Sequence, residues 1–145
     1  MSTVQEILNV KGTHVLSIGL RATVLDAAVL MNDNKIGALV VIDHGQVVGI
    51  FTERDVLRRV VAERRDPADA MVEEVMTADV VCCEPRTSLD EASSVMKQRR
   101  IRHLPVCGPN NSLAGLVSIG DLNAYHSYVQ ETTIHQMHEY LHGRA

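Results

Sequence analysis

The 145-residue chain has no tryptophan, one phenylalanine and three tyrosines. Its core must be built from Val, Ile, Leu, Met and Ala, and aromatic platforms for stacking on single-stranded nucleic acid are missing. A net charge of −4 argues against a general nucleic-acid binder, which carries a basic surface. No apolar run approaches the length of a membrane span. The first residues, Met1-Ser2-Thr3-Val4-Gln5-Glu6, lack the basic start and apolar run of a signal peptide, so the expected location is cytoplasmic. Cysteine is scarce. Cys82, Cys83 and Cys107 fit buried free thiols better than a disulfide framework, and in a strand Cys82 and Cys83 face opposite sides. There is no Walker or Gly-x-Gly-x-x-Gly phosphate loop, and no nucleophile–base–orienter set. The residues therefore point away from an enzyme.

What is present is ordinary in bulk and unusual in pattern. Apolar residues make up 46% and charged residues 22%, as in a globular domain long enough to bury a core. The pattern is a repeat. Gly49-Ile50-Phe51-Thr52-Glu53-Arg54-Asp55 returns as Gly115-Leu116-Val117-Ser118-Ile119-Gly120-Asp121. Thr23-Val24-Leu25-Asp26 matches Ser88-Leu89-Asp90-Glu91, Met31 matches Met96, and Ile36 matches Ile101. The offset is 65 up to the turn after the long apolar strand and 66 from Gly49 onward. The extra residue falls where Asp43-His44-Gly45-Gln46 becomes Cys107-Gly108-Pro109-Asn110-Asn111-Ser112, a hairpin turn, which tolerates insertion.

Each copy reads as β-α-β-β-α. Strands are expected at 14–18 and 80–83, and helices capped by Thr23 and Ser88 follow, each with an acid three residues on in a capping-box pattern. Apolar runs Ile36–Ile42 and Ile101–Val106 are buried strands, followed by strands at 47–51 and 113–117 and helices near 55–63 and 121–129. Polar, proline-containing 64–69 is the linker. The expected division is a first motif over 3–66, a second over 70–130 and a helical tail over 131–145.

These residues carry a family resemblance. Glu74-Val75-Met76-Thr77, the apolar runs from Ile36 and Ile101, and the two Gly-h-h-Thr/Ser-x-x-Asp turns (h, apolar) resemble a tandem pair of cystathionine-β-synthase (CBS) domains, a Bateman module, of the free-standing bacterial type. The resemblance implies an α/β (α+β) fold of two motifs packed about a pseudo-two-fold axis, with two clefts that take adenine-containing ligands: AMP, ADP, ATP, NAD or S-adenosylmethionine. No metal is required. The Asp is expected to hold ribose hydroxyls and the Thr/Ser hydroxyl to touch ribose or phosphate. The chemistry agrees: a carboxylate accepts two hydrogen bonds from vicinal hydroxyls, and a strand-to-helix junction offers free N–H groups to phosphate. The resemblance also implies clefts built crosswise. One joins Thr52, Arg54 and Asp55 to the stretch Asp79, Val80 and Val81 and to Ile101, Arg102 and His103. The other joins Ser118 and Asp121 to Lys11, Thr13, Leu16, Ile36, Gly37 and Ala38. The first is richer in charge, because Gly120 stands where Arg54 does.

Plainer readings stand beside these. Asp55 and Asp121 could be helix N-caps, and Arg58, Arg59, Arg99 and Arg100 read as solvated charges. His135, His138 and His142 on the tail have spacing that could bind a metal, but surface or packing roles fit them better. The expected function is a regulatory, ligand-sensing module acting by population shift. The alternatives are an oligomerisation module with vestigial clefts or a metal- or redox-responsive protein. A homodimer is expected through Val56, Leu57, Val60, Val61, Leu122 and Tyr125, with a separate effector protein as possible partner, no nucleic acid and no membrane.

Overall fold

A computed structural model describes residues 2–141, with side chains through residue 130. Thr23 caps helix α2 (Val24–Asn34) through a closed box: its hydroxyl accepts from Asp26 N–H at 3.1 Å, and Asp26 accepts from Thr23 N–H at 3.4 Å. Ser88 caps α5 (Leu89–Arg99) by accepting from Glu91 N–H at 3.1 Å. The reciprocal bond expected from Glu91 does not form. Both helices end on a left-handed residue, Lys35 (φ 54°) and Arg100 (φ 55°).

In the first copy, β1 (Ser17–Gly19) runs parallel to β2 (Ala38–Asp43), which pairs antiparallel with β3 (Gln46–Thr52). In the second, β4 (His103–Cys107) pairs antiparallel with β5 (Leu113–Ser118). The strand expected at 80–83 shrinks to one parallel bridge, Cys83 to Val106. Proline explains it. Val40 donates its N–H to Leu16 O, whereas its repeat counterpart, Pro105, has none to give. Only the bonds flanking Cys83 survive, Cys83 N–H to Pro105 O and Cys107 N–H to Cys83 O.

The leading segments are exchanged between the copies. Helix α1 (Val4–Lys11) buries Val4, Ile7 and Leu8 in the second copy's core, against Leu89, Met96, Leu104 and Val117. The short α4 (Val72–Val75), with Ala70, packs in the first copy's core, against Val24, Met31, Leu39 and Phe51. This exchange gives the glycine of each repeated turn its reason. A Cβ on Gly115 would lie 2.7 Å from Leu8 Cδ2, and one on Gly49 would lie 2.5 Å from Met76 Sδ and 3.1 Å from Thr77 O.

A third apolar cluster joins the copies: Val40 and Val47 with Cys107, flanked by Val80, Cys82 and Leu116. The longer second turn contributes, since Asn111 Nδ2 donates to Val47 O at 2.9 Å and Gln46 Nε2 to Asn110 O at 3.1 Å. Cys82 packs on this cluster while Cys83 packs on the second core. Burial, then the adjoining Cys82, pushes Cys83 and Cys107 up to about 12, so both stay protonated and unreactive.

The helix expected at 55–63 begins earlier, as a single turn α3 (Glu53–Asp55), and widens into a π-helix over Val56–Val61, where Ala62 N–H bonds to Leu57 O. Of the expected dimer surface, Val60 and Leu122 are buried in their own cores and Tyr125 is tied to Glu6 and Ser2. Leu57 and Val61 remain exposed. The tail is a continuation of α6 (Ile119–Leu141). His135, His138 and His142 lie outside the residues with described side chains. Among the described residues no helix is long and apolar enough to cross a membrane.

Candidate functional site

Strand β3 ends at Thr52, and the site begins with the cap that follows. Thr52 is the N-cap and Asp55 the third helical residue, so the Asp closes a capping box rather than capping the helix itself. Thr52 N–H and Oγ1 donate to Asp55 Oδ2 at 3.0 and 3.3 Å, and Asp55 N–H donates back to Thr52 Oγ1 at 3.3 Å. That leaves Oδ1 with long contacts alone, Thr77 Oγ1 at 3.4 Å and Arg59 Nε at 3.8 Å. Asp55 is the one buried charged residue among those described, with 7% exposure.

The Asp55 turn opens on a cleft of about 450 Å³, within the usual range for small-ligand sites. Ile101, Arg102 and His103 of the second copy line it too, with Asp79 and Val81 from the segment between the copies. The structure thus brings together Thr52, Arg54, Asp55, Asp79, Ile101, Arg102 and His103. Val80 points into the cluster between the copies, and its neighbour Val81 takes the cleft position. Sequence reading missed Thr77, Glu53, Arg58, Arg59, Arg99 and Arg100, all of which line the cleft. Arg58 and Arg59 lie three and four residues after Asp55, a shared helix face, and that spacing was the available signal.

The second turn repeats the cap: Ser118 N–H donates to Asp121 Oδ2 at 2.8 Å, and Asp121 N–H to Ser118 Oγ at 3.1 Å. Lys11, at the end of the exchanged helix α1, donates to the same Oδ2 at 2.7 Å and to Leu116 O at 2.8 Å. Ile36 lines a separate groove with Met31, Lys35 and Val56. Gly37 lines that groove and the Asp55 cleft. Ala38 is buried opposite Thr52, Leu16 packs on the first core, and Thr13 is exposed.

Two turns of the same design, each on a strand–helix junction and served by the other copy's leading segment, are the geometry of a duplicated module. A model of the CBS domain matches residues 4–62 and again residues 72–127. The chain belongs to the CBS domain family. It is 38% identical over 122 residues to the CBS domain-containing protein YhcV of Bacillus subtilis, covering 84% of each. The solved CBS-domain containing protein ATU1752 of Agrobacterium tumefaciens superposes with a TM-score of 0.80 at 36% identity, over 86% of this chain and 99% of that one. A more distant CBS domain pair, solved in complex with 5′-methylthioadenosine and S-adenosyl-L-methionine, shares the fold at 22% identity. Its TM-score is 0.74, over 88% of this chain and 97% of that one.

The two turns of this CBS pair sit in different fields. At Asp121, burial pushes the carboxyl up, but the Lys11 ammonium and the Ser118 N–H outweigh it and hold it below the ordinary value. His103 reaches toward both turns. Burial, then Lys11, lowers its pKa against the opposing pull of Asp121 and Glu53, so the ring is neutral at neutral pH. Among the described residues no group of three His, Cys, Asp or Glu could hold a metal ion.

Proposed function

We propose that the chain is a non-catalytic regulatory module that binds an adenine nucleotide in the Asp55 cleft. The observation that carries this is a buried carboxylate with one lightly engaged oxygen, opening on a cleft walled by the other copy's strand. Asp55 Oδ1 accepts the ribose hydroxyls, Thr52 touches ribose or phosphate, and Ile101 and Val81 flank the base. The adenosine ligands of the distant CBS pair support the adenine half of this reading.

A ligand in that cleft touches α3 of one copy and the start of β4 of the other. It favours whichever relative arrangement of the copies fits it best, which is a population shift. The exposed Leu57 and Val61 beside the cleft are the apolar surface through which a homodimer forms and a separate effector protein senses the change.

Differential scanning fluorimetry and calorimetry with AMP, ADP, ATP, NAD and S-adenosylmethionine test the proposal. At least one ligand raises the melting temperature in proportion to occupancy, and Asp55→Ala removes the effect. Silence from every adenine ligand overturns it and leaves a bare oligomerisation module.

A further inference from the structure

The Asp55 cleft is lined by six arginines and three acids, on a chain whose net charge is −4. Arg54, Arg58 and Arg59 come from the turn and helix after β3. Arg99, Arg100 and Arg102 come from the end of α5 and the approach to β4. Two of the six have partners: Arg59 donates to Met76 O at 2.9 Å and lies near Asp55, and Arg99 Nη1 is 3.7 Å from Asp79. Among the described residues Arg54, Arg58, Arg100 and Arg102 make no ion pair.

The repeat supplies an internal control. At the six equivalent positions the other half-sites carry Gly120, Ala124, Tyr125, Asn34, Lys35 and Gly37, which is one cation instead of six. The capped strand–helix turn and the helices α2 and α5 form with either set, so those elements do not require the arginines. Like charges gathered in one cleft repel each other. Arg100, like its counterpart Lys35 (φ 54°), holds a left-handed backbone (φ 55°) that suits glycine better than a long side chain. A polyanion in the cleft relieves the repulsion, and guanidinium groups match phosphate oxygens by paired, charge-assisted hydrogen bonds.

We infer that the Asp55 cleft selects a nucleoside polyphosphate, with three or more phosphates, over the corresponding monophosphate. The inference rests on the adenine-nucleotide reading above and deepens it. Ribose on Asp55 leaves the phosphate chain among the arginines of both copies. One phosphate engages a few guanidinium groups, whereas a triphosphate reaches both triplets and ties the copies together through its own charge.

The test is isothermal titration of the full chain with adenosine, AMP, ADP and ATP, in EDTA and at two salt concentrations. Affinity is expected to rise along that series, by about tenfold or more from AMP to ATP, with a steeper salt dependence for ATP. Arg100→Gly places the residue best suited to φ 55° there, so it folds at least as well as the parent. In it, and in Arg58→Gln, ATP affinity falls by about tenfold and the preference over AMP narrows. If AMP binds as tightly as ATP, or if both variants keep the full preference, the polyphosphate inference is overturned and the adenine-nucleotide reading stands. If no adenine ligand binds, both fall.

Discussion

Asp55 and Asp121 occupy equivalent turns and close equivalent capping boxes, but what surrounds each carboxylate differs. Asp55 is buried and has only two hydroxyls and a 3.8 Å guanidinium contact beyond its cap, and the cations around it are mostly unpaired. Asp121 is 24% exposed and holds an ammonium at 2.7 Å from within the chain. Duplication thus fixed the backbone device twice while the charges diverged. The cap is what the fold needs, and the unpaired charge is what a ligand can use.

The largest expected effect tests that contrast directly. Asp55→Ala removes the acceptor for two ribose hydroxyls, each a charge-assisted bond of about 1.5–3 kcal/mol, and nucleotide affinity falls by about a hundredfold or more. Asp121→Ala loses a cap and an ion pair, costs about 1 kcal/mol of stability, and changes affinity by about threefold at most. Calorimetry and thermal melting on both variants decide it. Equal loss of affinity would end the claim that the sites are unequal.

The paired glycines sharpen the comparison next. Gly115→Ala drives a methyl into Leu8, and Gly49→Ala drives one into Met76 and Thr77, each costing about 1–3 kcal/mol in chemical denaturation. The two should differ in binding. Gly49→Ala displaces Thr77, whose hydroxyl meets Asp55, so affinity falls along with stability. Gly115→Ala disturbs α1 and leaves the Asp55 cleft alone. If the denaturation midpoint of either variant matches the parent, the leading helix is not seated where the exchanged packing puts it.

Much of this was legible in the chain, and what was not has physical causes. The elements followed from periodicity and caps, because Thr23, Ser88, Thr52 and Ser118 act through neighbours three residues away. The expectation that Asp55 opens its helix erred by one role, since N-cap and third residue carry the same preference for oxygen-bearing side chains. The strand at 80–83 failed because its bonding depends on Pro105, some twenty residues distant. The arginines at 58, 59, 99 and 100 are each exposed, as solvated charges would be. Only the packing of the two copies makes their exposed ends converge. The π-helix left no mark in the residue pattern of Val56–Val61.

His103 offers a smaller contrast, since its counterpart in the first copy is the buried Ala38. Its pKa is lowered by burial and by Lys11 and Arg102, against Asp121 and Glu53. A phosphate chain in the cleft adds negative charge beside the ring and raises the pKa, so binding takes up a proton below neutrality. Polyphosphate affinity should therefore improve by about threefold more in the parent than in His103→Gln as pH falls from about 8 to about 6. Parallel profiles would place the ring outside the field of the ligand.

Lys11 carries the smallest effect. The Asp121 carboxyl titrates lower in the folded chain than in the unfolded one, so the pair stabilises the fold at neutral pH. That stability is present above the unfolded value of about 3.9 and is lost as pH falls through the folded value. Side-chain exposures of 37% and 24% screen the pair, which holds its worth to about 1 kcal/mol or less. Lys11→Met keeps the apolar stem and deletes the charge. Its melting temperature should lie below the parent's at pH 7, by an amount that shrinks as pH falls below the unfolded value and through the lowered folded one. A deficit that stays constant across that range would mean the Lys11 stem, and not its charge, seats α1 on the second copy.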